Sequence, residues 1–394
     1  MIKIVHGNLI SPEKIDTDMS VLIEGEKISK IEKDISIDEQ DAEILDAHGG
    51  YICAGFIDLH LHGGGGYSFM NAGREEMKKA CHSHLWHGTT TLLPTSVTDS
   101  IPETVKMIRT VKECVDDVSC TIPGVHLEGP FLSPAQCGAQ STETMLLPSE
   151  EYWMPLLEAW PDGIKMMGAA PELPDAMALG KELSRRGIVA SIAHSDANYD
   201  TCIRAMENGY SDITHLYCGC SIVCRENAYR HGGVVEAGLL EDGFTVQVIA
   251  DGKHLPPELL KLIYKCKGPE QMYLITDALF PAGLDMEEGS RFSKTAYSPD
   301  MILEDDVMKM ADRHAFAGSI ATMDRLVRNM VNLAEVPLQE AVTMATYTPA
   351  KRIGLEKRKG RVLPGYDADI LILDEDLQVK AVIAKGKVIR KELS

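Results

Sequence analysis

The chain has 394 residues, 44% hydrophobic and 25% charged, a soluble globular balance with room for two or three domains or one large barrel with additions. Its formal net charge of −20 argues against nucleic-acid and anionic-membrane partners and leaves small-molecule chemistry open. No apolar run reaches the roughly 18 residues a membrane span needs.

The first ten residues, MIKIVHGNLI, read as a short strand and lack the pattern of a signal peptide. Ten irregularly spaced cysteines then fit reduced thiols and a cytoplasmic protein. Residues 1–53 alternate in period two, and MSVLIEGEKISKIEKDI (19–35) has a Gly-containing centre that predicts a hairpin. Residues 355–394 behave alike, with turns expected at Asp374–Asp376 and Gly386. Neither end holds enough strands for its own core, so the two are expected to pair into one small β-sandwich domain.

Residues 54–354 alternate short apolar runs with amphipathic helical segments. Strands are expected at 55–60, 89–95, 121–127, 164–169, 188–194, 212–216, 244–250 and 272–277. Helical patterns fall at 74–87, 101–115, 175–187, 199–209 and 256–267, and a helical tail spans 319–354. This repetition predicts a (β/α)8 TIM-like barrel, with a doubly wound sheet as the alternative; no GxGxxG follows the early strands and no Walker motif is present.

Barrel enzymes carry their chemistry at the C-terminal ends of the strands. Here those ends offer His60 and His62 (GFIDLHLHGGGG), Glu128 (GVHLEGP), His194 (SIAHSD), His215 (ITHLY), His254 (DGKH) and Asp277 (LITDA). His60 and His62, two apart on a strand, point to the same side. Imidazoles with a carboxylate suit zinc and similar divalent ions, and the glycines that follow leave room above an ion. Taken singly, each has an ordinary reading: Glu128 or Asp277 as a helix cap, His194 and His215 as core histidines. Their shared position at strand ends favours a metal site. His126 shares the face of Glu128 and is expected to pack or to support it. His82, His84 and His87 are expected on a helix surface. Cys218, Cys220 and Cys224 fit a loop better than a second metal or redox site, and RHAFAGS (313–319) fits a helix N-terminus or a turn.

Together HxH, HLEGPF, AHSDA, THLY, IADGKHL, LITDA and FAGSIATMDR resemble the amidohydrolase superfamily, and more narrowly its N-acetylglucosamine-6-phosphate deacetylase family, nearly end to end. The resemblance implies a metal-dependent hydrolase that removes acetyl from an N-acetyl amino sugar, most simply N-acetylglucosamine 6-phosphate. It implies one or two divalent ions, zinc or iron, held by Glu128, His194 and His215 with His60 and His62, and Asp277 as the acid–base. His254 falls on the phosphate side. Ala139, Gln140, Cys218, Gly219, Phe316, Ala317 and Gly318 fall on substrate-binding positions. An arginine from a neighbouring subunit, Arg225 or Arg230, is implied at the phosphate, and with it a homodimer. Three departures surround the substrate: Gln140 stands where the family usually has histidine, Cys218–Gly219–Cys220 replaces the family's NAM, and two arginines compete for one role. These leave open a shifted substrate, including another N-acyl or cyclic amide on the same scaffold; a non-catalytic assembly protein would be expected to have lost the ligands kept here.

Overall fold

The computed structural model describes residues 1–36, 41–295 and 298–393, so residues 37–40 and 394 of the two expected end segments lie outside it. The ends of the chain meet as expected. Strand Ile370–Leu373 runs antiparallel to Tyr51–Ala54, which in turn lies parallel to Ile2–Ile10. The expected hairpin is Ile15–Glu24 with Lys27–Glu32. At the other end Ile370–Leu373, Val379–Ala384 and Lys387–Lys391 follow one another antiparallel. One eight-stranded mixed sheet results, with its own cluster of buried side chains, including Ile4, Val21, Ile52, Ile370 and Ile383.

All eight expected central strands are present and parallel to their neighbours. Val125–Glu128, Ile164–Ala169, Val189–Ile192, Tyr210–Ile213, Thr245–Val248 and Met272–Leu274 form one curled sheet in that sequential order. The order never reverses, which rules out the doubly wound alternative. Phe56–Leu61 pairs with Thr89–Pro94. Single bridges continue from this pair: Thr95 to His126 on one side and Leu61 to Ala278 on the other. Most of these strands are buried on both faces, as parallel strands covered by helices must be.

Several expected boundaries were too long. The third strand starts at Val125, because Pro123 has no N–H for the ladder. The fifth, sixth and eighth strands stop before His194, His215 and Asp277, which all take left-handed backbone angles (φ 42°, 26° and 50°) that a strand cannot continue through. The expected helices appear as Arg74–Trp86, Ile101–Cys114, Ala176–Arg185, Tyr199–Glu207 and Pro257–Gln271. Two of them have side-chain caps: Ser100 accepts from Glu103 N at 3.4 Å and Asn198 from Thr201 N at 2.9 Å. The helical tail is Met323–Asn332, Leu338–Ala345 and Tyr347–Arg352. Helices Glu150–Ala159 and Val234–Leu240, the exposed hairpin Cys224–Glu226 with Tyr229–His231, and a three-stranded antiparallel sheet over Arg291–Met310 were not expected from the sequence.

Candidate metal centre and active site

The residues at the strand ends converge. Glu128 is the hub: its Oε1 lies 2.8 Å from His215 Nε2, 3.2 Å from His194 Nε2 and 3.6 Å from His60 Nε2. Its Oε2 lies 3.3 Å from His62 Nε2. Asp277 Oδ1 completes the group, 3.1 Å from His62 Nε2 and 3.5 Å from His60 Nε2. Two overlapping triples are spaced to hold a metal ion, His60–His62–Glu128 and Glu128–His194–His215, and Glu128 belongs to both.

The opposite edge of each imidazole is fastened to the protein. His62 Nδ1 lies 3.3 Å from Thr95 O, His194 Nδ1 2.8 Å from Gln136 O and His215 Nδ1 3.0 Å from Cys218 O. His60 Nδ1 lies 3.0 Å from Gln247 Oε1. Carbonyl oxygens only accept, so each Nδ1 carries a proton and donates, which leaves each inward-facing Nε2 as the atom that ligates an ion once its own proton is displaced. His60 Nε2 and His62 Nε2 even face each other at 3.2 Å. Ring nitrogens crowded against one another and against carboxylate oxygens need something positive between them, a proton or a metal ion. The donor set, neutral imidazole with carboxylate in a buried pocket, therefore fits a divalent cation.

Electrostatics agree. Burial alone would drive the His62 proton off, but the Asp277 and Glu128 carboxylates outweigh it and push the imidazole up to about 10. Burial works against ionising Asp277, yet its hydrogen bond to His62 and the nearby imidazoles bring it down to about 2. Glu128 is held well below the usual carboxylate range, against its burial, by His60, His194 and His215. The field that attracts protons to this spot attracts a metal ion in competition with them.

Behind the ligands lies a buried polar network absent from the sequence reading. Gln247 Nε2 donates to Asp212 Oδ2 at 2.8 Å, which fixes its carbonyl toward His60. Asp212 also accepts from Ser191, Thr245 and Tyr273 at 2.9, 2.5 and 3.0 Å. Asp58, two residues before His60, accepts from Thr276 Oγ1 at 2.5 Å and from His60 N at 3.2 Å; burial pushes its carboxyl up to about 6 despite these donors. Polar residues inside otherwise apolar strands were the available signal.

The expected substrate positions divide. Gln140 Nε2 donates to Glu128 Oε2 at 2.6 Å, and its Oε1 accepts from Thr98 N at 2.9 Å, so it touches the metal cluster directly. Cys218 holds His215 through its carbonyl, and Gly219 (φ 56°) lies so close to His194 that a Cβ would sit 2.6 Å from Nδ1. Ala317 packs with Ala139 and Leu279, and Gly318 lies against the backbone of Asp277. The Phe316 ring lies tilted against His254, centroids 4.6 Å apart, and His254 Nδ1 lies 2.7 Å from Asp251 Oδ2. RHAFAGS is not a helix N-terminus: Phe316 bridges to Lys309, Ser319 donates to Asp277 O, and the next helix begins at Met323. Arg225 and Arg230 face each other across the exposed hairpin, and neither side chain makes a hydrogen bond or ion pair among the described residues. The three loop cysteines are free thiols and enter no metal-spaced group among the described residues.

His126 does pack behind the site: its Nδ1 lies 2.9 Å from Leu59 O and its ring meets His60 edge-on at 4.7 Å. His84 is not on the surface. It is fully buried, and its Nε2 donates to Gly63 O at 2.7 Å, tying the helix to the loop that follows His62. Burial pulls its imidazole down to about 4, so it is neutral.

The sequence pattern that defines the Amidohydrolase family matches residues 51–389. The chain belongs to the amidohydrolase family. This amidohydrolase is 31% identical over 382 residues to an N-acetylglucosamine-6-phosphate deacetylase from Lysinibacillus sphaericus, covering 95% of the chain and 94% of the relative. It is 33% identical to an N-acetylgalactosamine-6-phosphate deacetylase from a Shewanella species, over 86% of the chain and 83% of that protein. Among solved structures it superposes, with a TM-score of 0.89 and 28% identity over 99% of both chains, on a variant N-acetyl-D-glucosamine-6-phosphate deacetylase from Mycobacterium smegmatis in complex with N-acetyl-D-glucosamine 6-phosphate.

Proposed function

We propose that this amidohydrolase removes the acetyl group from N-acetylglucosamine 6-phosphate, giving glucosamine 6-phosphate and acetate. The observation that carries the reading is the convergence of four Nε2 atoms on Glu128 and Asp277, in a chain similar over nearly its whole length to such deacetylases.

Glu128, His194 and His215 would hold one divalent ion, zinc or iron, and His60 and His62 would serve a second. A bound divalent ion supplies a Lewis acid that polarises the amide carbonyl and acidifies water. The rest of the reaction belongs to the protein's own groups. Asp277, ionised at neutral pH, takes a proton from the attacking water and returns it to the leaving nitrogen. That return is required because an amine anion is too basic to leave unprotonated. Gln140 holds Glu128 through its amide. The sugar lies between Phe316, the Ala317–Gly318 backbone and the Cys218–Gly219 loop, with its phosphate toward His254.

The fold supports the same reading. The single bridges at both edges of the parallel sheets favour closure of the eight strands into a (β/α)8 barrel, residues 54–354, which places all six groups on one rim. Residues 1–53 with 355–394 are read as a separate small β-sandwich domain, a reading supported by the buried cluster that the terminal sheet keeps to itself. The hairpin carrying Arg225 and Arg230 also exposes Tyr229, and Ile222 and Val223 just before it are exposed as well; such a projection suits the interface of a homodimer that lends an arginine to its partner's phosphate site. A cytoplasmic location fits the free thiols.

The likeness to an N-acetylgalactosamine-6-phosphate deacetylase gives the galacto epimer as the second reading. Acetate release from the gluco, galacto and manno 6-phosphates, with elemental analysis of the same sample, tests both. Highest kcat/KM on the gluco epimer is expected; no acetate from any epimer by metal-loaded protein would refute the proposal.

A further inference from the structure

A cavity of about 270 Å³ opens beside His62. Tyr67, Val97, Leu279 and Phe280 line it, and the exposed Asn71 lies on its outer wall. Neither His254 nor Phe316 borders it, so it is distinct from the side assigned to the sugar phosphate.

The chemistry of the amide gives this space an occupant. A carbonyl carbon carries its nitrogen on one side and its alkyl group on the other, and the two diverge. With the carbonyl held next to Asp277 and the sugar toward His254 and Phe316, the alkyl group points away from the sugar. The cavity at His62 is open space beside the candidate ligands on a side that the sugar phosphate does not use. A methyl group fills only a small part of it.

Its walls are held in place. The Leu279 backbone N–H donates to Ser319 O at 2.9 Å, and its side chain packs among Ala139, Ala317 and Ile320. Phe280 meets Phe292 edge-on at 5.2 Å. Lys79 sits 5.3 Å from the centre of the Tyr67 ring. Ser68, Glu76, Thr295 and Ser298 complete the lining, and along the apolar walls each added methylene buried strengthens binding by about fourfold.

We propose that this cavity is an acyl pocket, and that the chain hydrolyses linear N-acyl groups of three and four carbons as well as acetyl. The proposal rests on the amino-sugar reading above. Bond changes are those of amide hydrolysis: the water oxygen bonds to the acyl carbon, the C–N bond breaks, and the nitrogen keeps the electron pair and takes the proton from Asp277. The products are the free amine and a carboxylate of the same chain length.

The test is kcat/KM of the metal-loaded protein on N-acetyl-, N-propanoyl- and N-butanoylglucosamine 6-phosphate, each read as amine released. Propanoyl and butanoyl substrates are expected within tenfold of acetyl. Val97→Phe, which pushes an aromatic ring into the cavity, should lower the two longer substrates at least tenfold more than acetyl; Val97→Leu should do so in the same order but less. Longer substrates more than tenfold slower than acetyl in the wild type, or a uniform loss across all three in the variants, would overturn the acyl pocket while the deacetylase reading stood. Absence of hydrolysis of N-acetyl substrate of any epimer would overturn both. The wild-type series decides the matter even if a variant folds poorly.

Discussion

Gln247 touches neither a substrate position nor a candidate ion, yet it orients His60. Its carbonyl accepts a hydrogen bond from His60 Nδ1 at 3.0 Å, and its amide donates to Asp212 at 2.8 Å. Gln247→Leu keeps the volume and removes both bonds. His60 then has a buried donor without an acceptor, while Asp212 keeps Ser191, Thr245 and Tyr273. A buried unsatisfied donor costs about 1–3 kcal/mol, and loss of a group orienting a ligand imidazole typically weakens metal binding about 10- to 100-fold, the equivalent of roughly 1.4–2.8 kcal/mol. The two figures agree, so most of the loss should appear as weaker ion binding at His60 and His62. The ion at Glu128, His194 and His215 should be far less affected, because their own anchors at Gln136 and Cys218 are untouched. The assay is metal per chain by elemental analysis after dialysis against graded chelator. Loss of one class of ion at 10- to 100-fold lower chelator than wild type is expected. Wild-type retention together with a lowered Tm would show that Gln247 only packs, and would refute the orienting role.

Three other variants probe the remaining parts. Asp277→Asn keeps the size of the side chain but can neither take nor return a proton, so kcat should fall about 10²- to 10⁴-fold with metal content unchanged; turnover within tenfold of wild type would remove its acid–base role. Gly219→Ala adds a Cβ 2.6 Å from His194 Nδ1 at a left-handed backbone (φ 56°). It should cost at least the roughly 1–2 kcal/mol of the backbone strain and loosen the ion held by His194, seen as lower Tm and lower metal retention, whereas a neutral outcome in both would contradict the close packing. Asp251, though buried, has its carboxyl lowered by His254 and by the Lys253 and His254 N–H groups. A lowered folded pKa contributes stability above the unfolded value near 3.9, and that contribution is lost as pH falls through the folded value. Wild type should therefore exceed Asp251→Asn in Tm at pH 6, with the gap narrowing below about pH 4; a gap independent of pH would be the contrary result.

The residues of the candidate site were legible because their spacing encodes direction. His60 and His62 lie two apart on a strand and must share a side, and each other ligand follows an apolar run that marks a strand end. What supports them was not legible. Gln247 and Asp212 are single polar letters inside strands Thr245–Val248 and Tyr210–Ile213, and nothing local says that Gln247 meets His60, 187 residues away in the chain, or that Asp212 holds Gln247. His84 differs. Its spacing from Met77, Ala80 and Cys81 puts it on the buried face of Arg74–Trp86, so the helical period carried the signal, and the glycine loop covers it there.

The sequence by itself determined the alternation of strand and helix, the pairing tendency of the two ends and the chemical types waiting at the strand ends, because those depend on periodicity and composition over a few residues. Tertiary structure alone decided that Glu128 is shared by both ligand triples, that Gln140 contacts it, and that Arg225 and Arg230 stand together on an exposed hairpin. Distances between far-apart segments are set by how the whole core packs, and no short stretch of sequence carries that information.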